Sequence, residues 1–410
     1  MAPKTVAVVS SRSTGLPGPQ NGGTGPVEVR SARDLKAIPP GLWDSLLEPD
    51  DLQCSHRFIR LCQEARVEEA DYWHLLIYQA GRLGGVATLS RMKARLDLLA
   101  TGFPRAALGA LRRCWPGALR VPVLFCGLPL SFGQPCLKFA PWADREAVCR
   151  AITRTMETVA EATATPLLCF KEFDPDAATL VEPVCGRGYF RAPSLPSCSL
   201  PLTWGSFASY VRAMTAGYRR QVRATLRARA AAGLKVRRVD HFARAGKTLF
   251  SLYEQVIQRA AFRLETLNRA FLERLDTDLG GQSRAILIER GGQTLAAGIM
   301  LFTSGVATFL LAGLDYRARR SWQVYPNLLL EVVAEAIHSG ASRLELGQTS
   351  YALKSRLGAV EVPRFLFLRY RHSLGQFLLR RGARFLFPTL PYPRRRVFSR
   401  REPCCPCIGP

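Results

Sequence analysis

Between Thr308 and Gly358 lie side chains whose types and spacing suit chemistry. Asp315 follows an apolar run and offers a carboxylate as proton acceptor, or serves as an ordinary turn aspartate. Arg317, Arg319 and Arg320 come next, and a guanidinium is a planar fork of donors that matches phosphate oxygens. Tyr325, Pro326 and Asn327 then open an apolar stretch with helical spacing. A proline near the first helical position marks a helix start, whose unpaired N–H groups and positive dipole end suit a diphosphate. Tyr351 and Lys354 follow in a polar segment, a phenol able to protonate a leaving group and a cation able to bind a carboxylate. Gln348 and Arg356 flank them. Each of these residues also reads as part of a turn or a solvated loop.

The elements that must position them are a strand over Ala307–Leu314, a helix over Tyr325–Ser339 and a strand over Arg343–Leu346. A crossover helix makes two such strands parallel and brings the intervening turn to one sheet edge, where α/β proteins hold ligands. Upstream, Arg284–Ile288, a Gly291-Gly292 turn and Leu295–Phe302 predict a hairpin. Ser206 caps a long predicted helix over Ser206–Ala232, with Phe207, Tyr210, Met214 and Tyr218 on one face and five arginines in its later half. A strand over Leu234–Val239, a helix over Thr248–Arg263 and a last strand over Phe365–Tyr370 complete this half.

The first half predicts a shorter version of the same series. A helix over Ser55–Ala65 precedes the strands Tyr72–Tyr78 and Val86–Arg91 across a glycine turn. Leu119–Phe125 follows as a strand whose Pro122 argues for an edge position. A helix over Arg145–Ala162 and a strand over Leu167–Phe173 end the series. The expected fold class is α+β, two tandem units, each a mixed central sheet flanked by helices. The boundaries run as a disordered tail over 1–30, a first domain over 31–190, a linker over 191–203, a second domain over 204–374 and a basic tail over 375–410.

Composition constrains partners. Lys and Arg number 57 against 32 acids, a net charge of +25, in a chain of 410 residues. Such a field favours a phosphate-bearing cofactor, nucleic acid or an anionic membrane, unless arginine is simply the generic surface residue of a biased composition. No run of about 18 apolar residues predicts a spanning helix, and the start does not look like a secretory signal. The scattered cysteines predict reduced thiols and a cytoplasmic protein, with peripheral contact on the inner membrane surface as an option. Cys404, Cys405 and Cys407 read as an unstructured tail rather than a metal or lipid site. No metal-ligand spacing, Walker loop or serine nucleophile elbow is present.

At this point the chain resembles the GNAT acyltransferase superfamily, and within it the two-domain branch of Fem-type aminoacyl transferases and Fem-like acetyltransferase domains. Tyr210-Val211 followed by Tyr218-Arg219-Arg220 and Arg223 resembles the helix that opens that branch's second domain. Ala297–Phe302, Asp315-Tyr316, Tyr325-Pro326-Asn327-Leu328-Leu329, Gly340 with Leu344–Gly347, and Tyr351-x-x-Lys354-x-x-Leu357-Gly358 resemble its later motifs in order. Asn327 stands where glycine is usual and Glu345 where aspartate is usual. The loop Arg317–Val324 lacks the glycines of a classical GNAT pyrophosphate loop, a loss shared by Fem-like proteins.

The resemblance implies acyl transfer to an amine, with Ala307–Leu314 and Arg343–Leu346 splaying apart to hold the donor. It implies Asp315, Tyr351 and Lys354 as catalytic residues and Arg317, Arg319, Arg320, Tyr325 and Asn327 around the donor, an acyl-CoA. Lys171, Arg219, Gln348 and Arg356 would bind the acceptor, a small molecule or a glycan or peptide precursor of the cell envelope. An aminoacyl-tRNA donor and a non-catalytic binder of polyanions or membranes are the rival readings. The basic segment Arg212–Arg238 and the basic end Gln376–Arg401 motivate them.

Overall fold

The computed structural model describes residues 7–9, 26–95, 120–130, 133–260, 266–387 and 392–399. Cys404, Cys405 and Cys407, with the end of the basic tail, lie outside them. The fourteen strands run β1 Ala7–Val9, β2 Val27–Ala32, β3 Asp71–Gln79, β4 Arg82–Arg95, β5 Arg120–Cys126, β6 Leu137–Phe139 and β7 Leu167–Phe173. They continue as β8 Phe190–Pro201, β9 Lys235–Val239, β10 Ser283–Arg290, β11 Gln293–Phe302, β12 Val306–Leu314, β13 Arg343–Gly347 and β14 Val360–Tyr370.

The chain divides into two units, the first made of 1–195, 261–274 and 363–390, the second of 196–260, 275–362 and 391–410. In the first, β1 to β5 pair antiparallel in sequence order. The helix Arg145–Ala162 then carries the chain over so that β7 lies parallel to β5 across Val123–Cys126. Asp144 caps that helix, and its inner face buries Val148, Ile152 and Met156. In the second unit, β9 to β12 pair antiparallel, and the helix Val324–His338 brings β13 parallel to β12. Each unit is thus a mixed sheet flanked by helices, with the meander, crossover helix and parallel strand in the same order.

Pro122 does not make β5 an edge strand. It pairs with Lys93 on one side, and on the other the parallel ladder begins one residue later, so the missing N–H costs no ladder bond there.

The units divide between Leu195 and Pro196, within the segment 191–203, but that segment is mostly strand and not a linker: β8 is an extended strand whose later half pairs with β13. Two other boundaries differ from the sequence reading. Val27–Ala32, placed in the tail or at its border, is a strand of the first sheet. The last strand, β14, pairs with β7 through Phe365–Tyr370 and completes the first unit, not the second. Each unit's sheet is therefore completed by a strand from the other half of the sequence, a pairing no local signal encodes.

The helix predicted over Ser206–Ala232 is two helices, Phe207–Ala213 and Ala216–Ala231. At the break, the Thr215 N–H donates to the Val397 carbonyl at 2.8 Å and the Ser399 N–H to the Ala213 carbonyl at 3.0 Å. A distant segment has taken the backbone groups that would have continued the helix.

The crossover helix Val324–His338 is buried almost all round, Glu331 and Glu335 included. A buried carboxylate needs partners. Arg238 donates Nε to Glu335 at 2.6 Å and Nη2 to Glu331 at 3.0 Å, while Arg284 and Arg229 pair with Glu335 and Glu331. Part of the basic segment Arg212–Arg238 is therefore consumed inside the fold.

Candidate functional site

In the second unit the parallel pair β12 and β13 matches Val306–Thr308 with Arg343–Glu345 and then parts. Two bulges sit at the parting. On β12, Ile299 faces Leu311 and Met300 faces Phe309, so Leu310 is an extra residue in the β11 ladder. On β13, Glu345 faces Ser199 and Gly347 faces Cys198, so Leu346 is extra in the β8 ladder. A bulge bends its strand and turns its backbone groups off the ladder. Beyond Thr308 the β12 backbone continues to Leu314 with no β13 partner among the described residues.

Within the second unit, backbone strain gathers at this end. Gln323, the residue before the crossover helix, has φ of 50°, and Thr349 and Ser350, just past β13, have φ of 64° and 52°. Non-glycine residues are held in this left-handed region only where surrounding structure forces them, as at ligand sites. Gln323 is anchored by Thr225, whose hydroxyl donates to its side-chain oxygen at 2.7 Å. The Tyr325 phenol lies close enough to the Ser350 side chain to interact with it, and burial raises it above the ordinary value. The helix start and the loop after β13 are thereby joined at the open end of the strand pair.

Lys354 is buried and donates Nζ to the carbonyls of Gln348 at 2.6 Å and Gly347 at 3.2 Å. Burial pulls its ammonium down to about 8. It props the strand end from beneath. The buried Cys198 thiol on β8 lies close enough to interact with it. The Tyr351 hydroxyl donates to the Pro196 carbonyl at 2.9 Å, and its ring meets Tyr392 edge-on at 5.7 Å. Arg356 on the same loop is exposed.

The remaining expected residues separate into exposed and engaged. Arg319 and Arg320 are exposed between β12 and the crossover helix, and Arg319 lies over Trp322 at 5.9 Å. Asp315 is not open as a proton acceptor. Arg317 holds it with its backbone N–H and guanidinium, Gln293 donates at 3.1 Å, and the hydrogen bond from the Arg317 side chain keeps the carboxyl below its usual value. Asn327 is wholly buried and spends its amide on the carbonyls of Gln323 and Trp322 at 3.0 and 3.2 Å, which takes it out of reach of a donor. Its bulkier side chain, where glycine is usual, closes the turn rather than opening it.

Arg219 donates to the carbonyls of Arg212 and Met214 at the break between helices. Lys171, in the first unit, is buried and donates to the Leu130 carbonyl at 2.7 Å. Both act within the fold instead of facing an acceptor. The residues that sequence alone missed are Thr225, Ser350, Cys198 and Tyr392. Each is an ordinary residue locally and gains meaning only from its neighbour across the fold.

Residues 216–355 match the family model described as acetyltransferase (GNAT) domain. A protein of Mycobacterium tuberculosis (strain CDC 1551 / Oshkosh) bearing the provisional name 8-amino-7-oxononanoate synthase 2 is 25% identical over 306 residues, 71% of this chain and 39% of that protein. The chain thus spans about two fifths of the length of that curated relative. The solved structure of FemX superposes with a TM-score of 0.53 at 12% identity, covering 84% of this chain and 98% of that one. A tandem GNAT protein from the clavulanic acid biosynthesis pathway gives a TM-score of 0.49 at 12% identity, covering 84% and 98%. The family match spans both strands of the parting pair and the helix between them. The chain therefore has a GNAT/Fem-like fold, with the match to the GNAT family lying over residues 216–355.

Proposed function

We propose that the second unit transfers an acyl group from an activated donor, an acyl-CoA, onto an amine of a cell-envelope or polysaccharide precursor. The observation that carries this is the doubly bulged divergence of β12 and β13 inside the segment that matches the GNAT family. Backbone amides turned off a ladder can bind the donor's arm and the oxyanion that develops as the amine attacks, without a nucleophilic side chain. The start of the helix Val324–His338, with Arg319 and Arg320 beside it, suits the donor's phosphates. Tyr325 keeps its proton at neutral pH and sits at the same end; in this proposal it protonates the leaving thiolate, and the proton that the attacking amine loses passes to solvent, from which the phenol is restored. Lys354 supports the loop, and Gln348 and Arg356 belong to the acceptor side of this proposal.

Calorimetric titration with acetyl-CoA and longer acyl-CoAs tests the donor. Saturable micromolar binding, weakened in Arg319→Ala/Arg320→Ala, is expected. No heat with any acyl-CoA removes this donor.

A second reading rests on one stripe. Arg220, Arg223 and Arg227 are exposed along one face of the helix Ala216–Ala231, the arrangement a nucleic-acid backbone would meet. An aminoacyl-tRNA donor would then bind with steep salt dependence, and charge reversal at these positions would abolish it.

A further inference from the structure

Three of the six large apolar side chains exposed among the described residues sit on one helix. Leu374, Phe377 and Leu378 on Ser373–Leu386 are 69%, 56% and 59% exposed. With Arg381 they recur at helical spacing and form one face. That face cannot turn inward, because the opposite one is anchored within the first unit. The Gln376 side chain accepts from the Tyr370 N–H at 2.6 Å and donates to the Gly188 carbonyl at 2.7 Å. Leu379 packs against the buried cluster that includes Val123 and Leu368, and a Cβ on Gly375 would run into the Tyr370 ring.

The charge around the stripe has one sign. Arg380 and Arg381 are exposed at its C-terminal end, and the Arg381 guanidinium lies over the Phe377 ring at 5.4 Å. The sequence holds no Asp or Glu from Arg364 to Arg401. A contiguous apolar stripe on a folded surface marks an interaction site. A second copy docked through it would gather the arginines of both copies at one interface to which this stretch brings no acid, and like charges oppose that contact. An anionic lipid surface satisfies both halves at once: apolar side chains enter the acyl boundary while arginines reach the phosphates.

We propose that the helix Ser373–Leu386 seats this chain on an anionic lipid surface, with Leu374, Phe377 and Leu378 in the acyl boundary and Arg380 and Arg381 on lipid phosphates. This holds whether or not the second unit transfers acyl groups. Co-sedimentation of the full chain with phosphatidylcholine vesicles, with and without phosphatidylglycerol, tests it. The chain should bind the phosphatidylglycerol vesicles, and raised salt should weaken that binding.

Leu374→Ser/Phe377→Ser/Leu378→Ser and, separately, Arg380→Glu/Arg381→Glu should each weaken binding about tenfold or more. Both variants should stay close to the wild-type thermal midpoint, because the substituted side chains are exposed and the arginine pair gives up only the place of Arg380 over the Phe190 ring, 5.5 Å from its centre. Undiminished binding by either variant, equal binding to neutral vesicles, or no binding to anionic ones overturns the proposal. So does a dimer in light scattering that the apolar triple substitution dissolves, which would identify a second copy as the occupant.

Discussion

Arg317 clasps Asp315: its Nε and Nη2 donate to the two carboxylate oxygens at 3.0 and 3.1 Å, and its backbone N–H donates to the first at 2.9 Å. The aspartate that follows β12 is thereby a turn-forming residue. Its lowered pKa, set first by that side-chain hydrogen bond, keeps it ionised and paired with Arg317 at neutral pH.

Asp315→Asn should leave the shape of the pH–rate profile for thiol release from acyl-CoA unchanged. The rate should fall by less than about tenfold, whereas loss of a general base costs about a hundredfold or more. A larger fall together with a lost acidic limb would restore Asp315 as the proton acceptor.

Asn327 closes the turn before the crossover helix from inside the core. Its Oδ1 finds no donor among the described residues, while its amide serves Gln323 and Trp322. Asn327→Leu should destabilise the chain by about 1–3 kcal/mol in urea unfolding, the cost of leaving the Trp322 carbonyl without its donor, while the Gln323 carbonyl keeps the backbone N–H of residue 327. Unchanged stability with lost acyl-CoA binding would instead place the side chain at the donor.

His74 is fully buried on β3, between Thr88 and Gln63, and burial lowers its imidazole to about 3. The folded chain keeps it neutral while the unfolded chain takes up a proton below its ordinary value. Stability is therefore fully present above about pH 6.5 and falls on acidification by about 1.4 kcal/mol per pH unit toward the folded value. Chemical denaturation of the wild type between pH 7 and pH 5 (approximately neutral to mildly acidic) should show this slope, and His74→Gln should flatten it. Parallel slopes in the two proteins would show that other groups carry the acid sensitivity.

Cutting the chain at the Ser/Pro-rich segment should not release two folded halves. A fragment over 204–374 lacks the β8 residues that pair with β13, and a fragment over 1–195 lacks the β14 residues that pair with β7. The first also leaves β14 without β7, and the second bares β7, every residue of which is buried in the fold; an unpaired apolar edge is an aggregation template. Each fragment expressed alone should be insoluble; a soluble, cooperatively melting fragment over 204–374 would show that β13 holds its place without β8.

Much of the frame was legible locally, because hydrophobic periodicity and turn residues act over a few neighbours. The hairpin across Gly291-Gly292, the crossover helix and β13 all fall where alternation, glycine and the Pro326 signal put them. The similarity of the two halves, meander then helix then parallel strand, was readable for the same reason. Segments that depend on distant partners were not. Met214–Thr215 carries every sign of mid-helix, yet the chain near Val397 claims its backbone. Arg191–Pro201 carries every sign of a linker, yet it forms strand because β13 leaves an edge to fill.

The candidate site divides along the same line. The sequence by itself determined which groups stand near the end of the parallel pair: arginines, a helix start, a phenol and a lysine. Only the tertiary structure decided what each group does there. The Lys354 side chain is long enough to reach solvent, but the carbonyls of Gly347 and Gln348 and the Cys198 thiol surround it in the fold, so it supports the loop from below. Asp315 could have served as a base, but Arg317 closes on it. The parting of β12 and β13 has no sequence signature at all, because a bulge is a mismatch between two strands and exists only once they are paired.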